Sequence, residues 1–122
     1  MSSDNAMERA YQYIVNLKSW DAALSVLREF NVKLEAFLVY YDLRRRGRRV
    51  RPGPRPNTLI YEDPSGKLSE VLILSEGSYI KLNDILEWSI RASADSHRPV
   101  IAIIDETGVI TYYEARTLRT LS

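Results

Sequence analysis

RPVIAIIDETGVITYY, residues 98–113, is the stretch from which the fold of this chain can be read. Val100–Ile104 is a short continuous apolar run rich in β-branched residues, which predicts a strand covered on both faces. Asp105–Gly108 predicts a tight acidic turn, with Gly108 supplying the backbone freedom. Val109–Glu114 then alternates as a return strand. Val109, Thr111 and Tyr113 fall on one face, and Ile110, Tyr112 and Glu114 on the other. A strand with apolar or aromatic groups on both faces must be covered twice. Eight residues follow Glu114, so a partner subunit is the expected cover, the alternative being the two amino-terminal helices.

The remaining chain fits one globular unit around this hairpin. At 122 residues, 45% apolar and 27% charged, it is long enough to bury a core without staples. The reading divides it into a short helical segment, 1–32, and a main α/β domain, 33–122. No apolar run reaches the roughly 20 residues of a membrane span. The opening MSSDNAMERA lacks the basic-then-apolar order of a secretory signal. With no cysteine, disulfides, zinc-thiolate centres and thiol catalysis are excluded, and the cytoplasm is the expected location. The net charge of +1 hides an asymmetry: residues 1–55 carry 11 basic and 6 acidic groups, residues 56–122 carry 6 and 10.

Taken in order, Met1–Asn5 reads as loose and Met7–Leu17 as a short helix. Ser19 reads as the N-cap of a second helix, with Trp20, Ala23, Leu24 and Leu27 at helical spacing. Lys33–Arg46 is an amphipathic helix with a Leu34, Phe37, Leu38, Tyr41 stripe, ended by Gly47. Arg48–Arg51 predicts a short strand, and the prolines at 52, 54 and 56 a stiff surface loop. Thr58–Tyr61 and Glu70–Leu74 are strands separated by a turn at EDPSG. Leu82–Ala94 is a second clear helix, with Leu82, Ile85, Leu86, Trp88, Ile90 and Ala92 on one arc. The order predicts an α/β fold, a mixed sheet flanked by helices and preceded by short amino-terminal helices.

Three features could carry chemistry. Arg44, Arg45, Arg46, Arg48, Arg49, Arg51 and Arg55 crowd within twelve residues, either as a phosphate-backbone contact or as a solvated helix end and loop. The single histidine, His97, has no placed carboxylate or nucleophile beside it in sequence, and reads more readily as a surface or strand-edge residue than as a general base. The eight tyrosines include two pairs, Tyr40–Tyr41 and Tyr112–Tyr113, that core and rim should divide. No zinc-helix motif, phosphate-cradling glycine loop or dinucleotide fingerprint is present, and the reading calls for neither metal nor cofactor.

These segments together resemble the archaeal tRNA-splicing endonucleases. YYDLRRRGRRVRPG (Tyr40–Gly53) is similar to the tyrosine-x-aspartate-leucine-arginine-x-arginine-glycine segment that opens the nuclease-like domain of that family. NTLIYEDPSGKLSEVLIL resembles the two strands that follow, and Leu82, Leu86, Glu87 and Trp88 match the spacing of the family's helix. VIAIIDETGVITYYEA resembles its closing hairpin almost position for position.

The resemblance implies a tyrosine, histidine and lysine triad in catalytic subunits. Tyr61 falls in the tyrosine slot, Leu68 in the histidine slot, and His97 or Arg98 in the lysine slot. Leucine cannot transfer protons, so the set is incomplete whichever residue fills the third place. The resemblance therefore implies a structural, non-catalytic subunit of an (αβ)2 enzyme that removes introns from precursor tRNA at bulge–helix–bulge motifs. Its last strand, Val109–Tyr113 with Ile110, Thr111 and Tyr112, would pair with the catalytic subunit. Asp105 and Glu106 on the hairpin tip would dock into a basic pocket of the opposite dimer. Two rival readings are a small RNA-binding module using Arg44–Arg55 and an autonomous metal-dependent nuclease. The latter lacks an aspartate followed by an acid-x-lysine triplet at a strand end.

Overall fold

The computed structural model describes residues 3–115. Its elements are α1 (Ser3–Leu17), α2 (Trp20–Glu29), α3 (Leu34–Arg45), β1 (Arg49–Pro52), β2 (Thr58–Glu62), β3 (Leu68–Ser75), α4 (Leu82–Ala94), β4 (Arg98–Ile104) and β5 (Ile110–Glu114). The strands form one mixed sheet in the order β1-β2-β3-β4-β5. Neighbours run antiparallel except β3 and β4, which are parallel and joined through α4. The α/β architecture expected from the sequence is the one found.

Alternation along the strands divides the core into two layers. Val71, Ile73, Val100, Ala102 and Ile104 face α1, α2 and α3. Leu72 and Ile101 face α4, where Trp88 and Ala92 cover them. In the first layer α3 packs on β1, β2 and β3, and α1 packs on both α3 and β1. Phe37, Val39, Tyr40 and Leu43 are the buried residues of α3, whereas Leu34 is 45% exposed. The expected stripe was therefore rotated: a helix packed on two sides buries a wider arc than one amphipathic face predicts. α4 departs likewise, with Leu82 and Ile90 exposed and Ser89 buried beside Trp88. α1 starts at Ser3, upstream of the expected Met7. Ser19 is the N-cap of α2 as expected, its Oγ accepting from Ala22 N at 3.2 Å. Among the described residues no helix is long and apolar enough to cross a membrane.

One loop geometry occurs twice. Asp63-Pro-Ser-Gly-Lys67 joins β2 to β3, and Asp105-Glu-Thr-Gly-Val109 joins β4 to β5. In the first, Asp63 Oδ1 accepts from Ser65 N, Ser65 Oγ and Lys67 N at 3.0, 2.6 and 2.9 Å. In the second, Asp105 Oδ1 accepts from Thr107 N, Thr107 Oγ1 and Val109 N at 2.8, 2.7 and 3.0 Å. Gly66 and Gly108 hold φ of +87° and +86°, the left-handed turn residue each loop requires. Hydrogen bonds from their own loops hold both aspartates below the usual carboxylate range, the hydroxyls of Ser65 and Thr107 contributing most. The proline loop is closed differently: a Cβ on Gly53 would stand 2.2 Å from Thr58 Oγ1, so only glycine fits.

The amino-terminal helices are tied to α3 by a polar contact as well as by apolar packing. Arg44 Nε and Nη2 donate to the Glu8 carboxylate at 3.0 and 2.9 Å, Tyr40 OH donates to the same group, and the guanidinium lies 4.5 Å from the Tyr11 ring centroid. Burial raises the Glu8 pKa, but the bonds from Arg44, Tyr40 and Gln12 outweigh it and bring the group from 4.5 to about 2. An acid with a depressed folded pKa stabilises fully above its unfolded value and loses that contribution as pH falls toward the folded one. Stability should therefore decline between pH 4.5 and 2, and Glu8→Gln should remove that part of the slope in urea unfolding followed against pH.

Candidate functional site

Tyr61, Ser69 and Arg98 form one row across β2, β3 and β4, since Tyr61 pairs with Ser69 and Ser69 with Arg98. Cross-strand partners share a face, and Tyr61 packs with the α1–α3 layer. Arg98 is held in place by three groups. Its Nε donates to Ser69 Oγ at 3.2 Å, Nη2 to Asp63 Oδ2 at 3.0 Å, and Nη1 to Glu114 Oε1 at 3.3 Å. Leu68 is one residue out of phase with Ser69 and pairs with Glu62, so it lies on the opposite face at the start of β3. The two residues that could fill the lysine slot also separate. Arg98 shares the Tyr61 row, whereas His97 belongs to a network on the α4 side.

That network centres on Glu70, whose side chain is completely buried. Oε1 accepts from Arg55 Nη1 at 2.6 Å and lies 3.0 Å from His97 Nδ1; Oε2 accepts from Trp88 Nε1 at 2.8 Å. A carboxylate in ion-pair contact with arginine only accepts, so Nδ1 carries the proton in this contact. Arg55 Nη2 continues to Asp95 Oδ2 at 2.6 Å. His97 directly precedes β4, at the strand edge that the sequence reading allowed, and its side chain is 13% exposed. Its carboxylate partner lies 27 residues away, which sequence proximity could not show. A charged residue inside the apolar run SEVLIL was the available signal, because a buried charge requires partners.

Glu70, Asp95 and His97 bring three potential ligand atoms within 4.8 Å of one another. The Arg55 guanidinium already contacts both carboxylates and supplies the positive charge there. A divalent ion would have to displace it, so this donor set fits an ion-pair network better than a metal centre.

The arginine run divides by role. Arg44 and Arg55 are committed to ion pairs with Glu8, Glu70 and Asp95. Arg45 and Arg46 are exposed, bonded to Tyr41 OH and Asp42 Oδ2 of α3 at 2.9 and 3.0 Å. Arg48 is half-buried before β1, while Arg49 and Arg51 are exposed on one face of that edge strand.

β5 is the other edge of the sheet. One of its faces is covered from within the chain. Ile110 and Tyr112 pack against the main core, Tyr112 OH donates to Asp42 Oδ2 at 2.6 Å, and Arg46 lies 5.5 Å from its ring centroid. Burial, followed by the Asp42 contact, pushes the Tyr112 hydroxyl pKa upward. Asp42 of α3 and Arg46 just after it cover Tyr112. On the opposite face Tyr113 pairs with Ile101 and is 52% exposed, and Val109 at the strand's entry is 58% exposed. At the hairpin tip Asp105 is engaged in closing the loop, while Glu106 is exposed.

Residues 34–112 match the profile of the tRNA intron endonuclease family, catalytic C-terminal domain. No curated protein matches the chain.

Proposed function

Because this chain belongs to the tRNA intron endonuclease family, we propose that it is the non-catalytic structural subunit of a heterotetrameric, (αβ)2 tRNA-splicing endonuclease. In that role it supports a catalytic subunit in removing introns from precursor tRNA. Membership places it in tRNA splicing; the observation that carries the finer reading is Leu68. A hydrocarbon stands where the resemblance puts the proton-transferring histidine, with Tyr61 and Arg98 on the other side of the sheet.

The two sheet edges support the same reading. β1 ends at Pro52 and exposes Arg49 and Arg51, features that discourage strand addition. β5 holds neither proline nor arginine, and among the described residues Val109 and Tyr113 offer an apolar edge and face suited to a partner strand. Glu106 at the tip suits a basic pocket, and Asp105 shapes the loop that presents it. Arg49 and Arg51 remain available for precursor tRNA, with contact to phosphates expected to be salt-dependent.

The test is cleavage of an intron-containing precursor by three samples: this chain, a catalytic subunit, and the two combined. Intron removal should require or be strongly raised by the combination. Cleavage by this chain alone, or no change on mixing, overturns the reading.

A further inference from the structure

A cleft of about 590 Å³ opens between the three amino-terminal helices. Tyr11 and Ile14 of α1, Trp20 of α2 and Tyr41 of α3 line it, together with Lys18 and Arg45. The Tyr41 ring centroid stands 5.7 Å from that of Tyr11 and 5.5 Å from that of Trp20, so the aromatic lining is continuous. Trp20 is 43% exposed, whereas Trp88 is buried. Arg45 is anchored over this surface by its bond to Tyr41 OH, with the guanidinium 5.7 Å from the ring centroid. Among the described residues no carboxylate lines the cleft.

Lys18 adds a second, independent observation. It holds φ of +52°, in the left-handed region. The other non-glycine residues there among those described are Asn31, Asn57 and Ser96, small polar side chains. Lysine has no local side-chain bond to offset that conformation. The tight α1–α2 turn nevertheless places a cation there, beside an aromatic wall.

We propose that this cleft stacks an unpaired base of single-stranded RNA while Lys18 and Arg45 contact the flanking phosphates. The ligand class rests on the reading that the chain works on tRNA. The chemistry rests on the cleft: π faces accept any base, and paired cations select a polyanion. An aromatic groove can also take a proline-rich peptide, but two cations without a carboxylate favour RNA.

The full chain is titrated with single-stranded hexaadenylate, with tryptophan emission reporting the cleft and anisotropy of a labelled copy giving affinity. Binding should quench Trp20 and leave the buried Trp88 component as a reference for the folded state. Trp20→Ala should weaken binding about tenfold and Trp20→Phe should restore much of it. Arg45→Glu, an exposed change that spares the core, should also weaken binding about tenfold and reduce the salt slope by about one. Unchanged affinity in both Trp20→Ala and Arg45→Glu overturns the proposal. So does a Trp20→Ala chain that loses a protein partner while RNA affinity stays the same. Assembly with a catalytic subunit is measured in parallel. Intact assembly with unchanged RNA affinity overturns the cleft alone; failed assembly with Trp20-dependent RNA binding overturns the subunit reading alone.

Discussion

Glu70→Ala should lower the unfolding free energy by about 3–5 kcal/mol, the usual consequence of removing one partner from a buried ion pair. Three groups lose their acceptor at once: Arg55, the Trp88 indole N–H and His97. Among the described residues the Arg55 charge then keeps Asp95, at 2.6 Å, whose side chain is 48% exposed and so screened by solvent. Against a typical total of about 5–15 kcal/mol, this is a large fraction, corresponding to a fall of about 10–20 °C in Tm. Asp95→Ala is the matched control. It breaks the partly exposed end of the same network and should cost about 1 kcal/mol or less. Glu70→Gln should recover part of the loss, since its carbonyl can still accept from Trp88. Urea unfolding of the three variants checks the order. Equal stabilities for Glu70→Ala and Asp95→Ala would mean that the buried carboxylate is not the centre of the network.

Val109→Asp combined with Tyr113→Asp should leave the isolated chain folded but weaken association with a catalytic subunit at least about a hundredfold. Both side chains are more than half exposed, so their replacement should change monomer stability by about 0.5 kcal/mol or less. In a strand-pairing interface the same positions become central apolar contacts. Hot spots of this kind contribute about 2 kcal/mol or more each, and a desolvated carboxylate adds an opposing penalty. Co-purification and mass measurement of the complex, with unfolding of the single chain alongside, separate the two effects. A double variant that assembles normally would show that this face of β5 is not the contact. Equal loss of stability and assembly would place the two residues in the fold instead.

How much of this was legible in the sequence depends on how local the cause is. The extent of α4 and the closing hairpin were readable because local signals agree within a few residues of one another, although Leu82 and Ile90 lie exposed on the helix. The buried face of α3 was not, because a helix between two layers obeys neighbours on both sides, and Leu34 and Tyr41 obey neither pattern cleanly. The arginine run gave its composition but not its assignments. Arg44 answers to Glu8 36 residues before it and Arg55 to Asp95 40 residues after it. His97 shows the same limit, since its role depends on a carboxylate that only the parallel pairing of β3 and β4 brings alongside. Of the two faces of β5 expected to need cover, one is covered from within the chain, by Asp42 and Arg46 on Tyr112.

The repeated Asp-x-Ser/Thr-Gly-x turn has a consequence for how this chain can change. The side chains that shut each turn are separate from those it displays: Pro64 and Lys67 in one, Glu106 and Val109 in the other, where Lys67 and Val109 join the closure through backbone atoms alone. Each is an interchangeable cassette with a fixed clasp and two open positions. A lineage can invert the polarity of either tip by two substitutions and keep the ribbon behind it intact, so what a tip presents can drift without passing through a misfolded ancestor.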